Sequence, residues 1–396
     1  MTTIYLDNNA TTRTAPEVIE AMTPYLTEFY GNPSSMHTFG GQVRKKIEDA
    51  RGQIAALINA EPEEILFTSC GTESDNTALM SAVETFPLKK HLITTRVEHP
   101  AVLNFCHYLG KKGFRTTYLP VNTLGQIDPA ALDSAVDDDT AIVSIMLANN
   151  ETGVIFPVET IAPSLQELGI LFHTDAVQAA GKIPLDVKKT PVHMLSISGH
   201  KLHAPKGIGA LYVRKGTRFH PFIIGGHQEH GRRAGTENVA SIIGLGKAAE
   251  LARTNLKEEM TYLTRLRDRL EQGLLNSCAH ARVNGDAANR LPNTTNISFE
   301  YIEGEAILLR LNEYGICASS GSACTSGSLE PSHVLRAMGV PYTAVHGSIR
   351  FSLSRYNSDK DIDTVLEVMP NIIRDLRELS PFGRNMNATS QDQANE

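Results

Sequence analysis

Met194-Leu195-Ser196-Ile197-Ser198-Gly199-His200-Lys201 is a short apolar run that gives way to small polar and basic side chains. Runs of that texture recur along the chain, at residues 65–68, 92–97, 117–121, 141–147, 171–174, 194–198 and 209–213. They are rich in apolar and β-branched residues, the composition of strands buried on both sides. Helical stretches at 72–86, 100–111, 129–136 and 157–168 separate most of them. A helix over 40–59 precedes them, with Val43, Ile47, Ala50, Ile54, Leu57 and Ile58 at helical spacing. This alternation predicts an α/β fold in which a large, mainly parallel sheet is covered by helices on both faces.

Beyond residue 255 the texture changes. A charged helix over 256–275 leads to a strand (295–299), a helix (305–314), a strand (348–354) and a last helix (359–379), the pattern of a smaller α+β domain. The expected division is therefore a large domain over 16–255 and a small domain made of 1–15 and 256–383. Residues 384–396 are polar and aperiodic, so a disordered tail is expected there.

Hydrophobic residues make up 41% and charged residues 20%, as in an ordinary globular chain. The net charge of −7 and the scattered Lys and Arg residues speak against nucleic acid as a partner. No segment approaches the run of about 18 apolar residues that spans a bilayer, and the N-terminus lacks a signal-peptide pattern. Cysteines 70, 106, 278, 317 and 324 form no CxxC pair, which fits a reducing compartment. A cytoplasmic location is expected.

Open parallel sheets bind ligands where their strands end. Here Cys70-Gly71-Thr72-Glu73-Ser74, Glu98-His99-Pro100, Asn149-Asn150-Glu151-Thr152-Gly153, His173-Thr174-Asp175 and Ser198-Gly199-His200-Lys201 follow successive strands. A lone polar residue there is usually loop, but five in register are harder to dismiss. The Gly71-Thr72 turn offers backbone N–H groups and a hydroxyl at a helix start, which suits a phosphate, though Thr72 as a simple N-cap explains it as well. Lys201 beside Ser198 and His200 could condense with an aldehyde cofactor while its neighbours hold a phosphate. Otherwise it is a solvated surface lysine. Asp175 could pair with a protonated ring nitrogen, or simply form a turn.

Two patterns are set aside. Gly244-Leu245-Gly246-Lys247-Ala248-Ala249 fits a dinucleotide fingerprint but lies in a helical run. His227 and His230 have zinc-like spacing without a third ligand, and read as loop residues near the site.

The pattern His173-Thr174-Asp175-Ala176-Val177-Gln178 followed by Ser198-Gly199-His200-Lys201 resembles the fold-type-I pyridoxal-phosphate enzymes of the class-V aminotransferase group. The stretches 5–12 (Tyr5 to Thr12), 31–35 (Gly31 to Ser35), Arg233-Ala234-Gly235-Thr236-Glu237-Asn238 and Ala318-Ser319-Ser320-Gly321-Ser322-Ala323-Cys324 narrow the likeness to the cysteine desulfurases. The stretch Thr325 to His333 is similar to the nitrogen-fixation, NifS-type branch. The likeness runs from about residue 3 to 383, and Cys317 belongs to none of its motifs.

That resemblance implies a role for each matching residue. Lys201 corresponds to the Schiff-base lysine and proton shuttle, and Asp175 to the partner of the ring nitrogen. Gln178 would bond the phenolic oxygen, His99 would stack on the ring, and Asn150 would sit at the edge of cofactor and substrate. Gly71, Thr72, Ser198 and His200 would hold the phosphate. Thr236 would reach the phosphate of a neighbouring subunit, making a homodimer with a shared site. Arg350 would grip the substrate carboxylate, a task that suits a guanidinium fork; on residue type alone it could equally be a surface charge on a strand.

Cys324 lies in a Ser/Gly run with little apolar surface to pack, expected to be a mobile loop, whereas the other four cysteines read as inert filling, Cys70 least clearly. The implied reaction converts L-cysteine to alanine and leaves the sulfur on Cys324 as a persulfide, for delivery to an iron–sulfur scaffold protein in nitrogenase maturation. A free thiol has a pKa of about 8.5, so a base must ionise Cys324, and His99 and the substrate amine are both candidates. No permanent metal site is expected, although Cys324 could serve as a transient iron–sulfur ligand. The rival readings are an aminotransferase or selenocysteine lyase of the same fold, and a non-catalytic sulfur carrier.

Overall fold

The computed structural model describes residues 3–320 and 330–381. Its centre is a seven-stranded sheet in the order Ile65–Thr68, Gly209–Val213, Met194–Ser198, Leu171–Asp175, Thr140–Ser144, His91–Thr95 and Arg115–Leu119. Only Gly209–Val213 runs against its neighbours; every other adjacent pair is parallel.

The near-continuous apolar runs follow from burial on both faces. Ile65, Phe67, Ile93, Val143, Phe172 and Leu195 point into one core with the helices Thr38–Ile58 and Val158–Glu167. Their chain neighbours Leu66, Leu92, Ile142, Leu171 and Met194 point into another, beneath the helices Gly71–Thr85 and Pro100–Gly110. The sheet is mainly parallel with helices on both faces, as expected.

A four-stranded antiparallel sheet, in the order Ser319–Ser320, Ser348–Ser352, Thr294–Phe299 and Ala281–Val283, carries a third core with the helices Gly304–Glu313 and Asp359–Leu379. The chain start joins this part: Ile4–Tyr5 pairs in parallel with Ile316–Cys317, and the backbone of Asn8 donates to Ser352. The segment then crosses to the large sheet, where Thr12 N donates to the carbonyl of His200 at 2.9 Å. It is a strap from the small sheet to the turn that holds Lys201.

The charged helix expected from 256 begins 17 residues earlier and runs unbroken as Val239–Ser277. Its first half is small and apolar, which hides it in the composition. Gly244 and Gly246 let it approach other helices: a Cβ at 246 would lie 2.6 Å from Ala50 Cα, and one at 244 would lie 2.5 Å from Met22 Sδ. The fingerprint-like glycines are thus packing contacts, not a nucleotide turn.

Candidate active site

At the ends of the central strands opens a cavity of about 380 Å³. Gly71, Thr72, His99, Asn150, Asp175, Gln178, Ser198, His200, Lys201 and Arg350 all line it, so ten residues singled out in the sequence meet in one place.

One end suits a phosphate. The helix Gly71–Thr85 starts here without a capping side chain on Cys70, which leaves its first N–H groups free for an anion. A Cβ at residue 71 would come within 2.8 Å of Val177 Cγ2 and 3.3 Å of Ser198 Cβ, so only glycine keeps the space open. The Ser198 hydroxyl is 2% exposed, yet it has no hydrogen-bond partner among the described residues. A buried donor without a partner costs about 1–3 kcal/mol, which a phosphate oxygen would offset. His200 is half-buried and its neighbour Lys201 is cationic, which together push its pKa down to about 4; its Nδ1 lies 3.1 Å from Thr11 Oγ1.

Lys201 occupies the middle. Its Nζ donates to the carbonyls of Asn9 (2.5 Å) and Ala10 (2.7 Å). Burial, and then the charge of Arg350, lower its pKa to about 8, so a useful fraction is neutral amine at physiological pH. Asp175, at the end of its strand, is buried, and burial raises its pKa although His99 and Lys201 pull it back. A cation placed against it would keep it ionised. Asp75, on the phosphate-end helix, also lines the cavity; burial and the charge of Asp175 hold it well above the usual carboxylate range. Behind the pair His173 is locked neutral between Ser144 (2.9 Å) and Ser196 (2.9 Å).

His99 caps the helix Pro100–Gly110 by accepting the Ala101 N–H at Nδ1, 3.1 Å. With that nitrogen an acceptor, the neutral ring carries its proton on Nε2. Desolvation by the surrounding protein lowers its pKa although part of the residue is exposed, and with Nδ1 taken up by Ala101 the neutral ring has an N–H and no free lone pair to offer. This weighs against His99 as the group that ionises Cys324.

Arg350 comes from the small sheet. Its guanidinium bonds Asp7 (2.7 Å) and the Asn150 carbonyl (3.0 Å), while Nε has no partner among the described residues. The donors left over from these two contacts could take a carboxylate, which would share the charge with Asp7. Gln178 reaches the cavity too, with its amide held between Asn9 and Lys182.

Two expectations fall elsewhere. Thr236 lines a separate hollow with Glu229 and Arg233, outside the Lys201 cavity of the same chain. Its loop is tied to the phosphate-end helix by Arg233 and Glu73, 2.9 Å apart. Cys324 lies outside the described residues. The histidines 227 and 230 form no metal cluster; among the described residues no group of three or more ligating side chains occurs. Cys106 and Cys278 are buried filler as expected, whereas Cys70 lines the cavity and Cys317 is half-buried in the strand pair with the chain start.

Sequence reading missed Asp7, Asn9, Ala10, Asp75 and Lys182 as site residues. The strap 7–10 lay within a quoted motif, but nothing local tells which backbone carbonyls will meet Lys201. Lys182 follows Gln178 by four residues, a spacing that could have flagged it.

A family model described as aminotransferase class-V matches residues 4–365. A cysteine desulfurase of Trichormus azollae is 64% identical, with 96% of either chain covered. The cysteine desulfurase NifS of Azotobacter vinelandii is 59% identical over 96% of this chain and 95% of that one. Among solved structures, a NifS-like protein superposes with a TM-score of 0.89 at 41% identity, covering 95% of this chain and 100% of its own. The NifS-like protein from Rickettsia africae ESF-5 gives 0.85 at 34% identity, covering 94% and 99%.

Proposed function

Because the chain belongs to the aminotransferase class-V family, and within it to the pyridoxal-phosphate-dependent cysteine desulfurases, we propose that the cavity around Lys201 strips sulfur from L-cysteine, with Cys324 as the accepting thiol. The observation that carries the reading is the meeting of Lys201, Asp175, His99 and Arg350 in one cavity with a glycine-floored anion cradle.

In this reading Gly71, Thr72, Ser198 and His200 would hold the phosphate, Asp175 would pair with the ring nitrogen, Gln178 would bond the phenolic oxygen, and His99 would stack on the ring. When bound, pyridoxal phosphate supplies an electron sink conjugated to the substrate's α-carbon. Lys201, a neutral amine part of the time, would hold the cofactor through Nζ and, when free, would take the α-proton at that atom and hand it back. Arg350 fixes the substrate carboxylate, with Asn150 at its edge. The Cys324 thiolate attacks the substrate sulfur and the carbon–sulfur bond breaks. The sulfur stays on Cys324 as a persulfide, and the electron pair left on carbon takes up a proton, giving alanine. In this reading the His99 Nε2–H would be the donor in that step.

The site reading extends to the assembly. Thr236 completes the phosphate site of a second copy, so the working unit is a homodimer, and the sulfur goes on to an iron–sulfur scaffold protein. The NifS relative supports a nitrogenase-related role. No helix among the described residues is long and apolar enough to cross a membrane, and we place the protein in the cytoplasm. We also keep the division into a domain of 16–255 and one of 1–15 with 256–383. It is supported by Leu263, Leu266, Leu270 and Leu274 packing with the small sheet, against Ile242, Leu245 and Ala249 packing with the large one.

Adding L-cysteine to the purified, cofactor-loaded protein tests the function. Alanine should appear in step with persulfide, or with sulfide when a reductant is present. A keto acid without persulfide would point to an aminotransferase instead.

A further inference from the structure

Beside Gln178 lies a cation that the mechanism above does not use. Lys182 Nζ donates to Gln178 Oε1 at 2.8 Å and to Asn9 Oδ1 at 3.2 Å. Only neutral amide oxygens receive it, since no carboxylate pairs with it among the described residues. That is an unusual place to leave a lysine, and burial with the nearby charges of Lys201 and Arg350 lowers its pKa to about 7. A lysine kept for structure alone would be expected to find a carboxylate.

The arrangement has a definite effect on Gln178. An amide can turn over and exchange its oxygen for its nitrogen, which swaps acceptor for donor. Here the backbone carbonyl of Asn9, which can only accept, takes the Nε2–H at 2.9 Å, while Lys182 donates to the oxygen. The two contacts grip opposite ends of the amide. Gln178 is 4% exposed and lines the cavity, and its second N–H has no acceptor among the described residues.

We infer that Lys182 is a positioning residue that locks the Gln178 amide with its nitrogen toward the cavity, so that the side chain meets the cofactor's phenolic oxygen as a hydrogen-bond donor. The inference rests on the reading that pyridoxal phosphate binds in this cavity. Lys182 also fixes Asn9, whose Oδ1 takes Asn293 Nδ2 at 3.1 Å and whose Nδ2 donates to Thr294 Oγ1 at 2.9 Å. One ammonium thereby sets the orientation of two amides.

Lys182→Met keeps the length of the side chain and removes its donors. A donor withdrawn from an anionic oxygen raises the pKa of the group that shares its charge. The visible absorption band of the loaded Lys182→Met protein should therefore titrate roughly 0.5 to 1 pH unit higher than wild type, and the apo-protein's affinity for pyridoxal phosphate should fall about threefold to tenfold. Lys182→Arg retains donors and should restore most of both. The lost positive charge would also shift the band, so the deciding variant is Gln178→Ala/Lys182→Met. If Lys182 acts through the amide, the double variant should match Gln178→Ala alone. A full Lys182→Met shift in the Gln178→Ala background, or no shift in the single variant, overturns the inference. Failure of the wild-type apo-protein to take up pyridoxal phosphate at all would instead overturn the functional reading.

Discussion

The side-chain nitrogen of Lys201 lies 2.5 Å from the backbone carbonyl of Asn9, which stands 192 residues earlier in the chain. A carbonyl steadies the amine without neutralising it as a carboxylate would. Burial is then left to set the proton equilibrium of Lys201, whose pKa falls to about 8.

The first expected outcome is a pH profile. Only neutral amine can attack an aldehyde, so capture of pyridoxal phosphate by apo-protein should rise about tenfold from pH 7 to 9, with half the rise near the pKa of about 8. Stopped-flow growth of the visible band measures it. A midpoint near that of a solvated lysine would contradict the burial argument, and Lys201→Ala should give no band that borohydride can fix.

Arg350 is placed for substrate and not for cofactor. Arg350→Lys loses the fork geometry, worth on the order of 1.5–3 kcal/mol, so kcat/KM for cysteine should drop about tenfold to a hundredfold. Equilibrium dialysis should show pyridoxal-phosphate affinity changed less than about twofold. An equal loss in both quantities would mean that the change acts by disturbing Asp7 and Asn150.

Cysteine chemistry should divide by environment. Burial pushes the Cys106 thiol to about 12 and raises Cys278 as well, so both should resist alkylation in the folded protein. Cys324→Ser should still change colour with L-cysteine while alanine release falls on the order of a hundredfold or more, because an alcohol is a poor nucleophile toward sulfur. After a pulse of cysteine, mass spectrometry should find the extra sulfur on the Cys324 peptide. Label on Cys70 or Cys317 would reassign the nucleophile.

Complementation tests the shared site. Lys201→Ala and Thr236→Ala subunits should each be poorly active alone. A mixed dimer would pair an intact Lys201 with its partner's intact Thr236 in one of two sites, and should recover roughly half of the wild-type rate. Activity no higher than the mean of the two parents would show that Thr236 serves its own chain.

The large sheet was legible because burial on both faces writes a strand as an apolar run, and Ile65–Thr68, Met194–Ser198 and Gly209–Val213 fall where that texture predicts. The cavity was legible because residues at successive strand ends must converge. Sequence could not show what converges from afar. Asn9 reaches Lys201 through the crossing strap, and Asp75 meets Asp175 only because its helix packs above that strand. Composition misled at 255, since a helix can keep its hydrogen bonds while its surface turns from apolar to charged. The half-buried place of Cys317 was not legible either, because the short strand Ile316–Cys317 takes its partner from the other end of the chain.

The helix Val239–Ser277 has a mechanical meaning. At 1.5 Å per residue its 39 residues make a rod of roughly 58 Å, clamped at one end by the large sheet's core and at the other by the small sheet's. A rod clamped at both ends transmits rotation. Tilting the small sheet swings Arg350 about an axle whose other end is seated beside the strands that carry Lys201. The contact of Arg350 with the Asn150 carbonyl, 3.0 Å, is where such a tilt would be felt across the site.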